Sequence, residues 1–239
     1  MRTKKPFEDK LTPGERTAAG IYLPIHMFVL PGLLGIYAQV SPRAVDGVGI
    51  NILYYTFGIL FVLFFMRNYL RADFDTMLDN KARSILSFIS AFALLFVLSL
   101  AVTGILIHIM DDGSNPNNDT VSDLITGGSG SMFGVIVMLA PVTEEVLFRG
   151  FIFGSLRRRS RLAAYIVSAA VFSFYHLWQY LLIYMDFGLI VFGMQYIPHS
   201  IALGWSYERS GSIWVPVFIH MLINGAAFFI NAGYPMPGF

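Results

Sequence analysis

The chain has 239 residues, of which 56% are hydrophobic and only 13% are charged. Soluble globular domains have about 25% charged residues, so this chain has too few charges to cover a surface that faces water. The formal net charge of +1 gives no indication of a nucleic-acid partner. Because the chain has no cysteine, disulfides, thiolate metal ligands and a cysteine nucleophile are excluded.

Seven stretches are long and apolar enough to cross a lipid bilayer as helices. A span needs about 20 apolar residues, because the hydrocarbon core is ~30 Å thick and each helical residue adds ~1.5 Å. The predicted spans are residues 17–40, 47–66, 84–110, 131–156, 162–180, 189–207 and 212–232. The sixth contains Pro198 and His199 and is the candidate for a broken or re-entrant helix. We therefore predict an all-α, polytopic transmembrane bundle that forms one membrane domain over residues 1–239.

Basic residues are concentrated on one side of this bundle. They precede the first span and lie between the second and third, the fourth and fifth, and the sixth and seventh spans, which places 14 of the 16 on one face. Residues 111–131, on the other face, contain four aspartates and no lysine or arginine. The positive-inside rule then predicts a cytoplasmic tail at residues 1–16, an external carboxyl terminus and an amphipathic segment at 68–83 on the cytoplasmic interface. In a prokaryote the host membrane is the cell membrane.

Three spans contain polar groups that are costly inside a membrane. A charged side chain at the bilayer centre costs at least ~2.5 kcal/mol, so each is a functional hypothesis. The groups are Glu144, Glu145 and Arg149 in the fourth span, His176 in the fifth, and His220 and Asn224 in the seventh. Counted from the cytoplasmic ends, Glu144 and Asn224 both lie at a depth of ~18 Å, with His176 at ~21 Å and His220 at ~12 Å. We therefore expect them to meet at one level.

Helical spacing predicts different roles for these groups. Glu145 and Arg149 are four residues apart in the favourable acid-before-base order, which predicts a supporting ion pair. Glu144 points ~100° away and has no basic residue at helical spacing, so it is free to act as a general base on water. His220 and Asn224 share a face and present two polar donors, as an oxyanion site requires. Proline residues 141 and 216 precede these groups and free backbone carbonyls beside them.

The motifs resemble those of a known family. They are EExxxR at Glu144, Glu145 and Arg149, FxxxH at Phe172 and His176, and HxxxN at His220 and Asn224. This arrangement is similar to the CAAX-protease and bacteriocin-processing (CPBP, or Abi) family, over a core at residues 130–232. The resemblance implies an intramembrane glutamic endopeptidase. It also implies that Glu144 and His176 activate water, that His220 and Asn224 stabilise the oxyanion, and that Glu145 and Arg149 support them.

The resemblance implies a membrane-embedded or membrane-associated peptide or protein as substrate, reached through a cytoplasm-accessible cavity. We expect no nucleic-acid partner, no cofactor and no metal; the alternative is a zinc ion held by Glu144, His176 and His220. His199 is a candidate accessory residue. Two other functional classes stay open, because buried Glu and His chains also form proton relays. They are a proton- or ion-coupled transporter and a non-catalytic immunity or scaffold protein of the same fold.

Overall fold

The computed structural model describes residues 7–41, 45–110 and 114–233, and over these residues the chain forms nine helices. In chain order they are α1 (Pro13–Val40), α2 (Gly47–Phe65), α3 (Arg67–Asp79), α4 (Lys81–Ile109), α5 (Pro116–Phe133), α6 (134–157), α7 (Arg161–Tyr184), α8 (Phe187–Ser210) and α9 (Trp214–Asn231). The predicted all-α class is confirmed.

Seven of these helices are long and apolar enough to cross a membrane: α1, α2, α4, α6 with the last turn of α5, α7, α8 and α9. The chain is therefore an integral, multi-pass membrane protein, and the predicted span boundaries agree with the structure to within four residues. The sixth span, α8, is not re-entrant. It begins as a 3₁₀ helix at Phe187–Gln195 and continues as an α-helix from Tyr196. Pro198 lies in the first turn of that α-helix, where its missing N–H breaks no hydrogen bond.

Two helices lie outside the spans. α3 occupies most of the segment predicted to be amphipathic and buries Tyr69, Leu70 and Asp73. α5 was not predicted; it forms mostly within the segment between the third and fourth predicted spans. Pro116 occupies its first turn, and the Asn115 side chain accepts a hydrogen bond from the backbone N–H of Asn117, so the helix has an ordinary amino-terminal cap.

α6 is the central helix of the bundle. In its most apolar window 61% of the residues are buried, compared with 11% for α2 and 17% for α4. Its backbone is irregular: the α-helical segment Ala140–Glu145 lies between two π-helical segments, Gly134–Leu139 and Val146–Phe153. π-helical turns are rare in proteins overall, and those that occur are often found at functional sites.

The end of the bundle that carries the basic residues is closed by buried polar contacts; we call it the basic end. Lys10 Nζ lies 2.7 Å from Asp73 Oδ1 and donates to the Gly211 carbonyl at 2.7 Å. The other Asp73 oxygen accepts from the Ile213 N–H at 2.6 Å. Burial raises the pKa of the Asp73 carboxyl above its ordinary value, and the ion pair with Lys10 opposes that rise. Lys10 and the buried Leu11 are therefore packed against the bundle, within the segment predicted to be a cytoplasmic tail.

A second cluster closes the same end between α6, α7 and α8. Glu208 accepts hydrogen bonds from Arg157, Arg161 and the Tyr165 hydroxyl, at 2.6, 3.0 and 2.8 Å. Because one carboxylate is shared by three donors from the α6–α7 region, the turn between those helices is fixed to the last turns of α8. Hydrogen bonds and ion pairs thus join the helices of the basic end on both sides of α6.

Candidate active site

Glu144 lies at the centre of the site, on the α-helical segment of α6, and its side chain is 4% exposed. One oxygen, Oε1, accepts a hydrogen bond of 2.9 Å from the Tyr55 hydroxyl. The other, Oε2, faces His176 Nε2 at 3.9 Å and His220 Nε2 at 4.0 Å. The structure therefore brings together the glutamate and the two histidines that the sequence predicted to share one level.

Both histidines turn the same ring nitrogen toward Glu144. His176 Nδ1 lies 2.8 Å from the Phe172 carbonyl, and because a carbonyl only accepts, Nδ1 carries the proton. His220 Nδ1 lies 2.8 Å from Glu145 Oε1, a carboxylate that favours the same assignment. In the neutral form each ring therefore presents the lone pair of Nε2 to the space beside Glu144 Oε2.

Glu145 has two partners instead of the single one predicted. Its Oε1 is 3.0 Å from Arg149 Nη1, as the i,i+4 spacing predicts, and both side chains are fully buried. The same oxygen also orients His220. The Arg149 guanidinium lies 4.1 Å from the centre of the Phe172 ring, a cation–π distance that helps to compensate its burial. The ion pair thus sets the ring orientation of a residue in the site.

Asn224 is held by α6 through a carbonyl that Pro141 leaves free. The Ala140 N–H bonds to Val135 in the π-helical pattern, so the next donor in that pattern would come from residue 141. Proline has no N–H, and the Ile136 carbonyl accepts instead from Asn224 Nδ2 at 3.0 Å. One of the two amide hydrogens of Asn224 is therefore engaged in joining α9 to α6, and the second remains for other partners.

A cavity of about 780 Å³ has the four predicted site residues Glu144, His176, His220 and Asn224 in its lining. His199 also lines it and is held by an Nδ1 contact of 3.2 Å to the Gln195 carbonyl. The cavity extends away from the basic end, along amide side chains near the other ends of the helices: Asn51, Asn117, Asn118, Gln179, Gln195 and Asn231. The basic end is filled by packed side chains and ion pairs, so the cavity is not reached from that end.

Two tyrosines at the site were missed by the sequence analysis. Tyr55 bonds Glu144 directly, and the Tyr196 ring stacks on His176 with centroids 4.2 Å apart. The Tyr196 hydroxyl accepts from Asn115 and Asn117 at 3.1 and 3.0 Å, which fixes the first turn of α5 over the cavity. Neither tyrosine belongs to a motif, and an aromatic residue in an apolar helix ordinarily indicates packing.

Comparisons with known proteins agree with this geometry. The model of the family described as "Type II CAAX prenyl endopeptidase Rce1-like" matches residues 127–226, which contain all three motifs. The predicted family is confirmed over this segment. The chain is 30% identical over 95 residues to "Putative membrane peptidase YdiL" of Bacillus subtilis (strain 168), a match that covers 39% of this chain and 34% of the relative.

A second relative is matched over a longer stretch. The "UPF0177 protein YvdC" of Lactococcus lactis subsp. lactis (strain IL1403) is 25% identical over 172 residues, 70% of this chain and 62% of the relative. The chain thus spans less than two thirds of the length of either relative. No solved structure matches the chain.

Proposed function

We propose that the chain is an intramembrane endopeptidase that hydrolyses a peptide bond with water activated by Glu144. The observation that carries the proposal is the arrangement of Glu144 Oε2 between the Nε2 atoms of His176 and His220, at 3.9 and 4.0 Å, in the wall of a cavity within the membrane-spanning bundle. The family match and the name of the B. subtilis relative support a membrane protease.

The spacing suits a single water molecule. A water molecule that donates two hydrogen bonds of ~2.8 Å bridges two acceptors that are about 4 Å apart. Glu144 takes one proton of the bound water, and the water oxygen attacks the carbonyl carbon of the scissile bond. His176 accepts a hydrogen bond from the other hydrogen of the water, which stays on that oxygen. The tetrahedral intermediate then collapses, the C–N bond breaks, and the proton on Glu144 passes to the leaving nitrogen.

His220 and Asn224 are the proposed donors to the oxyanion. Because Glu145 Oε1 holds Nδ1–H, His220 would donate from Nε2 in its imidazolium form. Asn224 would donate through the amide hydrogen that is not bound to Ile136. Such preorganised donors are effective because they need no reorientation as charge develops.

The cavity lining favours an uncharged peptide segment as substrate. Among the described residues that line it, Glu144 is the one that belongs to the charged types Asp, Glu, Lys and Arg, and the amide side chains can pair with the backbone of an extended peptide. If the basic end is cytoplasmic, the substrate enters from the outer side or the bilayer. A reporter fused after Arg161 should then lie on the cytoplasmic side, and one fused after Phe239 on the external side.

A proton- or ion-coupled transporter would need a polar path across the whole membrane. Toward the basic end α6 carries Phe148 and Phe153, both fully buried, and its buried Arg149 is held in an ion pair by Glu145. This packing favours hydrolysis over transport. A non-catalytic scaffold protein would not need a polar cavity of this size.

The test is co-expression with candidate membrane peptides. The products of the wild-type protein and of the Glu144→Gln variant are compared by mass spectrometry. We expect a peptide cut only by the wild type. Equal products from both proteins would contradict the assignment of Glu144, and proton-driven uptake in proteoliposomes without cleavage would favour the transporter.

A further inference from the structure

Tyr55, on α2, is directed at the candidate base from outside the segment that matches the family. Its hydroxyl donates a hydrogen bond of 2.9 Å to Oε1 of Glu144 and not to Oε2. The two oxygens of Glu144 therefore differ: Oε1 is held by Tyr55, and Oε2 faces the two histidines. A donor on one oxygen fixes the rotation of a carboxylate, so Tyr55 determines which oxygen faces the cavity.

The approach of α2 to α6 depends on a glycine one turn after Tyr55. A Cβ atom at Gly58 would lie 2.7 Å from Thr143 Cγ2, closer than real contacts allow, and 3.3 Å from His26 Cε1, which is a tight contact. Positions three apart share a helix face, so Gly58 lies on the same side of α2 as Tyr55. The missing side chain at Gly58 thus lets the Tyr55 hydroxyl reach the residue that follows Thr143.

A buried hydrogen-bonded cluster holds this part of α2 in place. The Tyr54 hydroxyl donates to the His26 carbonyl at 3.1 Å and lies 3.0 Å from the Tyr175 hydroxyl. The His26 ring stacks on Tyr54 with centroids 4.4 Å apart. Because these contacts join α1, α2 and α7, they resist rotation of α2 about its axis, which would carry Tyr55 away from Glu144.

We infer that Tyr55 is a positioning residue for Glu144, an inference that rests on the proposed hydrolytic function. It holds Oε1 so that Oε2 stays between His176 and His220. The amino-terminal helices are then part of the catalytic apparatus, although they carry no motif. Its hydroxyl acts through Glu144, and we assign it no contact with the substrate.

Kinetics of Tyr55→Phe test this role on a peptide that the wild type cleaves. A hydrogen bond to a charged group accounts for roughly a 10- to 100-fold effect, so we expect kcat to fall by that factor with KM unchanged within about twofold. Tyr165→Phe is the matched control, because it also removes a tyrosine hydroxyl from a glutamate, Glu208, but at the basic end. It should leave kcat unchanged within about threefold.

Three results would overturn the inference: an unchanged kcat in Tyr55→Phe, a higher KM at constant kcat, or an equal loss in Tyr165→Phe. In the double variant with Glu144→Gln, Tyr55→Phe should cause no additional loss, because it acts through that carboxyl group.

A spectroscopic measurement separates this inference from the proposed function. The infrared difference between wild type and Glu144→Gln assigns the carboxyl band of Glu144 in the purified protein. That band should shift in Tyr55→Phe and stay in place in Tyr165→Phe, whether or not any peptide is cut. An unmoved band overturns the Tyr55 contact. A shifted band in a protein that cleaves nothing would contradict the hydrolytic function and leave the contact standing.

Discussion

The amino-terminal helices α1–α4 and the family-matching segment 127–226 differ in burial and in what their sequences reveal. α6 has 61% of its apolar window buried and contains both motif glutamates, whereas α2 has 11% buried and contains no motif. Yet α2 supplies the hydrogen bond to Glu144 Oε1. A peripheral helix thus completes a site whose visible signals all lie elsewhere.

The difference follows from how costly each group is in a membrane. A buried carboxylate or arginine is so unfavourable that its presence alone indicates a function. A tyrosine is amphipathic and a glycine is apolar, so both are common in spans and indicate nothing by themselves. The following predictions test whether the two regions contribute as the contacts indicate, from the largest expected catalytic effect to the smallest.

Glu144→Gln should cause the largest loss of activity, because it removes the proposed base and keeps the side-chain shape. General bases contribute roughly 100- to 10,000-fold to rate, so we expect the cleavage rate to fall by at least about 100-fold. Thermal unfolding in detergent should change little. A Glu144→Gln protein that cleaves at a normal rate would remove the central residue of the family segment from the mechanism.

Asn224→Ala should retain weak cleavage. Loss of one oxyanion donor typically costs ~100- to 1,000-fold in rate. Because the Ile136 carbonyl loses its partner, we also expect a stability loss of about 1–3 kcal/mol. Asn224→Asp keeps an acceptor but removes both amide hydrogens, so it should be equally slow. A normal rate in either variant, measured as product formed per folded protein, would show that Asn224 only joins α9 to α6.

The sequence was informative about the family segment for physical reasons. Spans, helix class and the convergence of Glu144, His176 and His220 follow from hydrophobic length and from the cost of burying polar groups. Proline at 141 predicted a freed carbonyl, but only the packing of α9 could identify Asn224 as its partner. The position of the cavity relative to the basic end could not be predicted, because depth along a helix does not reveal which ends are sealed. That depends on long-range pairs such as Lys10 with Asp73.

Gly58→Ala tests the contribution of α2 directly. The added Cβ would meet Thr143, so α2 must move and carry Tyr55 away from Glu144. Displacements of about 1 Å in an active site can cost ~100-fold, and we expect kcat to fall by 10- to 100-fold. Gly104→Ala on α4 is the control, since nothing lies within 4 Å of its added Cβ, and it should be neutral.

Restoration by a second substitution would strengthen the Gly58 result. Thr143→Ala removes the two Thr143 atoms that the new Cβ would contact and leaves the 3.3 Å contact with His26, so Gly58→Ala combined with Thr143→Ala should recover part of the rate. If Gly58→Ala is fully active alone, the amino-terminal helices do not set the position of the base.

Glu145→Gln should affect stability more than catalysis. It leaves Arg149 as a buried charge without its partner, which typically costs ~3–5 kcal/mol, and the thermal midpoint should fall accordingly. The amide oxygen of glutamine can still accept from His220 Nδ1, so kcat of the folded fraction should fall by less than about tenfold. Equal activity loss and equally normal stability in Glu144→Gln and Glu145→Gln would contradict the division of roles.

The smallest effect is expected from removing metal ions, because we propose that the chemistry needs none. Two ligands ~2.1 Å from a tetrahedral zinc ion are about 3.4 Å apart. Glu144 Oε2 lies 3.9 and 4.0 Å from the two Nε2 atoms, and Oε1 of Glu145 is already bound to Arg149 and His220. The Nδ1 atoms of His176 and His220 are nevertheless hydrogen-bonded as those of zinc ligands usually are, so removing metal ions separates the two possibilities.

Tight chelators should leave cleavage by the purified protein unchanged, and elemental analysis should find far less than one zinc per chain. Stoichiometric zinc, with activity lost on chelation and restored by added Zn²⁺, would show that Glu144, His176 and His220 form a metal site instead.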